Sequence, residues 1–200
     1  MQTRLTKGEL KRQRDSLRQY QRYLPTLQLK KQQLQMEILR QGLVLEGKRR
    51  ALAVKKQAAL EWAGLLCENT AINSLVRAQR LLSRSGNTAG VDVVVFQGLE
   101  FAPPDYDLFI TPLWVDGAVE QLRQMLSLRE EIRILKQAIA VLRQELRITT
   151  QRVNLFEKVR IPEAREAIRR IKIYIGDQTA NAVGRSKIAK RKIEALYILG

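Results

Sequence analysis

Apolar residues recur at alternating intervals of three and four in two long stretches of this chain, one in each half. In the second half the repeat has a single polar member, Thr149. Its positions are Met125, Leu128, Ile132, Leu135, Ile139, Leu142, Leu146, Thr149, Val153 and Phe156. This spacing places one apolar stripe along an α-helix and is typical of a coiled-coil seam.

A weaker repeat of the same kind occupies the first half. One column reads Leu10, Leu17, Leu24, Lys31, Ile38, Leu45, Leu52, Ala59 and Leu66, and its companion reads Gln13, Tyr20, Leu27, Leu34, Gln41, Lys48, Lys55 and Trp62. Thr6 and Glu9 have the spacing of a capping box, which predicts that the first helix begins near Lys7. We expect helices over about 6–84 and 116–199, each roughly 120 Å long at 1.5 Å per residue. Their similar lengths predict an antiparallel hairpin with both termini at one tip.

The segment between the two repeats has the composition of turns and strands. Ser85, Gly86, Asn87 and Gly90 are helix breakers, and Val91–Phe96 is β-branched and aromatic. Prolines follow, and we expect a second short strand within 109–115 before Asp116 caps the second helix. The predicted fold is therefore mainly α: a long antiparallel two-helix coiled-coil hairpin with a small β-hairpin knob at the turn. The expected parts are a long helix (1–85), an acidic knob (86–116) and a second long helix (117–200).

Two prolines lie inside the predicted helices. Each removes a backbone hydrogen bond, at a cost of about 3 kcal/mol in a helix interior. We therefore expect Pro25 and Pro162 to bend or locally break their helices. Near Pro162 the apolar repeat also changes phase, because the positions from Ile161 onward are one residue out of step with Val153 and Phe156.

Charge is unevenly distributed along the chain, which has 36 Lys and Arg against 20 Asp and Glu. Between Arg84 and Arg123 every charged residue is acidic. The basic residues are densest near the two termini, at Lys7, Lys11, Arg12, Arg14, Arg18 and Arg22, and at Arg185, Lys187, Lys190, Arg191 and Lys192. In a hairpin these clusters would meet at one tip and repel each other, and an acidic or polar partner around them would relieve that repulsion.

Few residues of this chain suit catalysis or metal binding. It has no His and one Cys, Cys67, which we interpret as a buried structural thiol on a helix. Gly42, Gly47 and Lys48 have the spacing of a phosphate-binding loop, but Arg49 replaces the required Ser or Thr and the segment reads as helix. We expect no catalytic residue, no metal and no cofactor. A secretory signal and a membrane-spanning run are also not expected, so the predicted protein is soluble or peripheral in a reducing compartment.

Several segments resemble the D subunit of the V/A-type ATPases, and the resemblance covers nearly the whole chain. They are Leu5–Leu10, the central proline-rich turn, Arg152–Val159 with Ile161–Pro162, and the tail from Ile171 to Asp177 with its following basic residues. The resemblance implies a non-catalytic central rotor shaft that couples ATP hydrolysis or synthesis to ion transport. The implied location is cytoplasmic and peripheral to the membrane.

The implied partners of such a shaft are the A and B subunits of the catalytic hexamer, the small F subunit of the rotor and a membrane-ring adaptor of the C/d type. Neither nucleic acid nor a direct transmembrane segment is implied. We predict that the hexamer is contacted by basic residues near the termini, namely Arg12, Arg14, Arg18, Lys187, Lys190, Arg191 and Lys192.

Two other functions would also use the basic charge. A coiled-coil scaffold could bind nucleic acid by counterion release, although the acidic knob and the lack of a base-reading motif are unfavourable. Such a scaffold could instead lie on an anionic membrane surface, although the basic residues cluster near the termini and not along one flank.

Overall fold

A computed structural model describes residues 4–64, 76–103, 112 and 114–198, with side chains to residue 194. Helix α1 spans Lys7–Leu60, strands β1 and β2 span Ala78–Thr88 and Val91–Phe101, and helix α2 spans Trp114–Asn154. A π-helical segment, Leu155–Arg160, links α2 to helix α3, Ile161–Ile198. The predicted class is confirmed: the chain is mainly helical, with an antiparallel β-hairpin between the long helical segments.

The start of α1 is the predicted one. The Thr6 hydroxyl accepts the backbone N–H of Glu9 at 3.2 Å, and the N–H of Leu10 donates to the Thr6 carbonyl at 3.0 Å. The first bond caps the N–H of Glu9, one of the groups that a helix start leaves free, and the second is the first regular bond of the helix. The Glu9 carboxylate accepts a hydrogen bond from the Gln13 side chain at 2.8 Å.

The expected end of the first helix is wrong. Helix α1 ends at Leu60, and residues 78–84, which we expected to be helical, belong to β1. The reason is non-local pairing: Arg84 lies opposite Val95, and Ser85 lies opposite Val94, in an antiparallel ladder. The strand that pairs with Val91–Phe101 is therefore β1, which comes before the turn and not after it, as we had expected. Trp114 and Val115, expected in a strand, begin α2, and the rest of that expected strand and Cys67 lie outside the described residues.

The chain forms two compact units, and α1 contributes to both. Unit 1 contains the residues up to Leu29 and those from Thr149 onward. In it, the Tyr20 and Phe156 rings lie 5.2 Å apart, and α3 buries Ile161, Ala164, Ala167 and Ile171. The predicted seam positions of this unit are buried or half-buried, as the repeat requires.

Unit 2 contains Lys30–Ile148, and in it α1 and α2 run antiparallel. Polar contacts between the two helices establish their register: Lys30 to Glu145 at 2.9 Å, Lys48 to Glu131 at 2.9 Å and Lys55 to Gln124 at 2.6 Å. As the residue number in α1 increases, the number of its partner in α2 decreases, which shows that the two helices are antiparallel. Just past the end of α1, Trp62 donates to Gln121 at 3.0 Å. The predicted seam positions between them, from Leu34 to Trp62 and from Met125 to Leu146, are again buried or half-buried.

The β-hairpin of unit 2 packs its turn end against this helix pair. Val93 lies in a buried cluster with Leu34, Ala138 and Leu142, and Ala89 and Val91 pack on that cluster. The turn places Ala89 and Gly90 in the left-handed region, at φ 52° and 73°. Two side-chain bonds brace it: Asn87 accepts the Gly90 N–H at 3.1 Å and donates to Asp92 at 2.8 Å.

The two helix prolines behave differently. Helix α1 is uninterrupted at Pro25, so no break occurs there. Before Pro162 the helix widens into the π-helical segment, and the Ile161 N–H donates to the Phe156 carbonyl, five residues back. A π-turn holds an extra residue and is a recognised way to absorb an irregularity in a helix. It lies where the apolar repeat changes phase, so the irregularity precedes Pro162, and helix α3 itself is continuous through that proline.

Candidate partner-binding surfaces

No catalytic centre is visible in the part of the chain that the structure describes. Among those residues no three His, Cys, Asp or Glu side chains lie together as a metal site. Gly42, Gly47 and Lys48 have the spacing of a phosphate-binding loop, but they lie within helix α1 and form no loop. Also among the described residues, no helix is both long and apolar enough to cross a bilayer.

The predicted hexamer-contacting residues are all exposed. Arg12 has 84% of its side chain exposed and lies 3.9 Å from Glu9, and Lys190 lies 3.7 Å from Glu194. Exposed ion pairs of this kind contribute little to stability, typically less than about 1 kcal/mol. These cations are consequently available to a partner.

The two basic clusters do not meet, which corrects the expectation that they share one tip. In unit 1 the residues from Arg4 to Tyr20 line one side of a groove whose other side runs from Arg160 to Arg170. The start of α1 is thus level with about Arg170. Lys187 lies seventeen residues further along α3, a distance of about 25 Å in an α-helix. The expected flush alignment failed because equal helix lengths do not define register.

Beyond Ile171, helix α3 has no companion among the described residues. We call Lys172–Glu194 the C-terminal extension; all its side chains are exposed except the half-buried Ile175, and Gly184 is also half-buried. Five large apolar side chains are exposed along it: Ile173, Tyr174, Val183, Ile188 and Ile193. Most of the stability of a helix in a protein comes from packing of its apolar face, and the apolar side chains of the extension have no such packing among the described residues. A partner that covers these apolar side chains would therefore stabilise the C-terminal extension.

Carboxylates near the start of the extension are already paired with arginines. Glu166 accepts hydrogen bonds from Arg169 at 3.1 Å and from Arg170 at 3.1 Å. The hydrogen bond from Arg169, followed by that from Arg170, lowers the pKa of Glu166 below its ordinary value. The ionised carboxylate therefore partly neutralises these two arginines, which lie just before the extension.

In unit 2 the two flanks of the helix pair differ. One flank is covered by the turn end of the hairpin, over Ala138 and Leu142. The other is an open channel that we call the basic groove, with Leu39, Gly42 and Leu43 of α1 on one wall and Lys136, Ala140, Arg143 and Arg147 of α2 on the other. The groove continues past Arg49 toward Lys56 and Arg129.

The exposed basic helix of unit 1 and the basic groove of unit 2 are surfaces of a helical subunit that works inside a larger assembly. Comparison with known proteins identifies the assembly. Residues 9–191 match the family model of the ATP synthase D subunit. The chain is 43% identical to a V-type ATP synthase D subunit of Borreliella burgdorferi, over 95% of this chain and 94% of the relative.

More distant relatives agree. The V-type ATP synthase D subunit of Chlamydia abortus is 32% identical over 96% of this chain and 94% of that protein, and the one of Chlamydia pneumoniae is 31% identical over 97% and 94%. The chain belongs to the ATP synthase D-subunit family. It is a non-catalytic central-stalk subunit of a rotary ATPase, and the alternative of a nucleic-acid or membrane-surface scaffold has no support.

Sequence reasoning missed the basic groove. Its apolar wall was detectable, because Met36 and Leu43 are one heptad apart and Leu39 lies between them, outside both predicted seam columns. The groove itself is formed by two helices distant in sequence, and its position depends on their register.

Proposed function

We propose that the terminal part of this chain, unit 1, turns inside the ring of A and B subunits and transmits rotation between that ring and the rest of the rotor. The observation that supports this most directly is the C-terminal extension, which exposes apolar and basic side chains on all sides. A surrounding ring would cover such a helix from every direction. A single partner on one side would leave much of it exposed.

The proposed contacts are the basic side chains already named: Arg12, Arg14 and Arg18 on α1, and Lys187, Lys190, Arg191 and Lys192 on the extension. Long cationic side chains bury their aliphatic stems while the charged ends remain mobile. They can exchange between acidic groups around the ring, because a long-range charge attraction needs no unique geometry. A rotating surface needs contacts of that kind, since a deep, unique anchor would hold it at one angle.

The other partners follow from the family. We propose that the small F subunit of the rotor binds unit 2, and that a C/d-type adaptor binds the end of unit 2 where α1 ends and α2 begins. We also propose that the protein is cytoplasmic and peripheral to the membrane as part of the complex. The support within unit 2 is the cluster of Val115, Ala118 and Val119 with Trp62, Val76 and Trp114 at that end. Packing of this cluster gives that end of unit 2 a folded core that an adaptor can contact.

Reconstitution tests the proposal. Purified chain is added to preassembled hexamer of A and B subunits together with the F subunit, and stoichiometry and ATP turnover are measured after size exclusion. We expect one copy per hexamer and altered turnover, both weakened by truncation from Arg185 onward. The triple variant Lys187→Gln, Lys190→Gln, Lys192→Gln should weaken binding, and its difference from the unmodified chain should shrink as ionic strength rises.

The matched control is Arg77→Gln, Arg80→Gln, Arg84→Gln, which removes three exposed cations from the hairpin region and should leave hexamer binding unchanged. Equal loss of binding in both triple variants would show that total charge matters and that the extension is not the contact. Failure of the unmodified chain to enter the hexamer at physiological salt would refute the proposed role itself.

A further inference from the structure

The outer side of α1 in unit 2 carries an apolar stripe that nothing in the described chain covers. Met36, Leu39 and Leu43 are 72%, 68% and 69% exposed, and they follow one another at the spacing of a helix-packing face. A single exposed leucine is ordinary, but a contiguous stripe beside a groove marks an interaction site.

The wall of the basic groove that faces this apolar stripe is positively charged. Lys136, Arg143 and Arg147 line it from α2, and within the described residues none of them lies within ion-pair distance of a carboxylate. The one carboxylate lining this part of the groove, Glu46, is paired with Arg49. The groove therefore has an apolar wall, an uncompensated cationic wall, and Gly42 and Ala140 as small residues that keep the channel between them open.

We propose that the basic groove binds an amphipathic helix with an acidic flank, supplied by another subunit of the complex. This rests on the proposed function only in placing the partner within the rotary ATPase. The bound helix would lie along α1 and α2 as a third helix, with its apolar face on Leu39 and Leu43 and its carboxylates toward Arg143 and Arg147. From Leu39 to Lys56 the groove is about 25 Å long, which accommodates four to five helical turns.

The charge of the groove decides between kinds of occupant. A second copy of this chain, docked through the same surface, would bring the cations of both copies together, which is repulsive. Nucleic acid would satisfy the cations but would leave the leucine and methionine stripe without an apolar partner, because duplexes present phosphates and grooves. An acidic amphipathic helix satisfies both walls at once.

A titration with a designed probe tests the chemistry directly. The probe is a labelled helical peptide of about 18 residues with leucines on one face and glutamates along the adjacent flank. Anisotropy is measured with the full-length chain at low and at physiological salt. We expect saturable binding that weakens at higher salt, and about tenfold or greater loss of affinity with Leu39→Ser plus Leu43→Ser, or with Arg143→Glu plus Arg147→Glu.

Matched variants give the controls. Val141→Ser changes an exposed apolar residue of α2 that does not line the groove, and Arg22→Glu plus Arg152→Glu reverses the same charge in unit 1. Both should bind the probe within about twofold of the unmodified chain. Circular dichroism checks that every variant is folded. The proposal is overturned by equal affinity for the groove variants, or by equal binding of a peptide whose glutamates are replaced by lysines.

Photo-cross-linking in the reconstituted complex identifies the natural occupant. Benzoylphenylalanine at position 43 should cross-link to an acidic amphipathic helix of a neighbouring protein, and the same group at position 141 should not. A cross-link to a loop, a strand or a second copy of this chain overturns the inference and leaves the stalk function intact. If the complex does not assemble at all, the proposed function fails, and the peptide titration still decides whether the groove has the proposed specificity.

Discussion

Replacing Leu34 with alanine tests whether the hairpin is docked on the helix pair of unit 2. Leu34 is fully buried, between α2 and the turn end of the hairpin, in the cluster that contains Val93 and Leu142. The change removes three buried carbon groups at about 0.8 kcal/mol each, or about 2.5 kcal/mol. The remaining cavity adds to this, so we expect unit 2 to lose about 3 kcal/mol of stability.

Urea unfolding followed by tryptophan fluorescence is the appropriate assay. Both tryptophans of the chain, Trp62 and Trp114, pack on the same cluster of unit 2, so the signal reports that unit. With a urea dependence of about 2 kcal/mol per M, a loss of about 3 kcal/mol shifts the midpoint down by about 1.5 M. The matched control is Leu39→Ala, the same chemical change at a position that is 68% exposed, which should move the midpoint by less than about 0.3 M.

Equal midpoints for the two variants would refute the reasoning, because they would mean that Leu34 is no better enclosed than Leu39. A second comparison locates the cause. Val93→Ala removes the hairpin's side of the same contact, and in a docked hairpin its effect should be non-additive with that of Leu34→Ala by about 0.5 kcal/mol or more. Additive effects would place the hairpin off the helix pair.

Three further predictions concern single features. Pro25→Ala should raise the thermal midpoint, since it restores a hydrogen bond donor inside the uninterrupted helix α1, with a gain of up to about 3 kcal/mol; an unchanged or lower midpoint by circular dichroism would mean that the proline is already accommodated. Asn87→Ala removes both bonds that brace the hairpin turn and should cost about 1 kcal/mol in urea unfolding, whereas Ser85→Ala serves as a control in the same strand. The hydrogen bonds from Arg40 lower the pKa of Glu37 from its ordinary value of 4.5, so this carboxylate stabilises the fold above about pH 4.5 and loses that effect as pH falls through its lowered pKa. Glu37→Gln should therefore lower the thermal midpoint at pH 7 but not at a pH below that lowered pKa, and an equal loss at both pH values would contradict the assignment.

Much of the helical part could be predicted from local sequence. The heptad columns identified the buried face of both long helical segments, because the period of an α-helix places residues three and four apart on one side. Thr6 identified the start of α1, because capping depends only on neighbouring backbone groups. The phase change near Ile161 correctly indicated an irregularity, and the structure shows that it is a π-turn.

Strand β1 could not be predicted in the same way. The run from Ala78 to Arg84 has helix-compatible residues, and its extended conformation depends on a partner that follows it in the chain. β-structure is decided by cross-strand pairing more than by intrinsic preference. The first helix was consequently predicted to be too long.

Of the candidate partner-binding surfaces, one could be predicted from the sequence and the other could not. The basic residues near the termini were visible in the sequence, and the structure confirms that they are exposed. Whether the two basic clusters lie together depends on the register of α1 against α3, and the prediction that they share one tip was wrong. The basic groove needed the structure entirely, since Leu43 and Arg143 are brought near each other only by the antiparallel packing of α1 and α2.

The sequence by itself determined the helical class, the buried face of each helix, the sign of the charge along the chain and the family to which the chain belongs. It could do so because periodicity, charge and motif identity are all local properties. The tertiary structure decided the register of the helices, the pairing of β1 with β2, the exposure of the C-terminal extension among the described residues and the open flank of unit 2. A heptad repeat is satisfied almost equally well when two helices slide by whole heptads, so it specifies which face is buried and not what lies opposite. Register is chosen by the sum of distant contacts, such as Lys48 with Glu131 and Leu34 with Val93, that only the folded chain brings together.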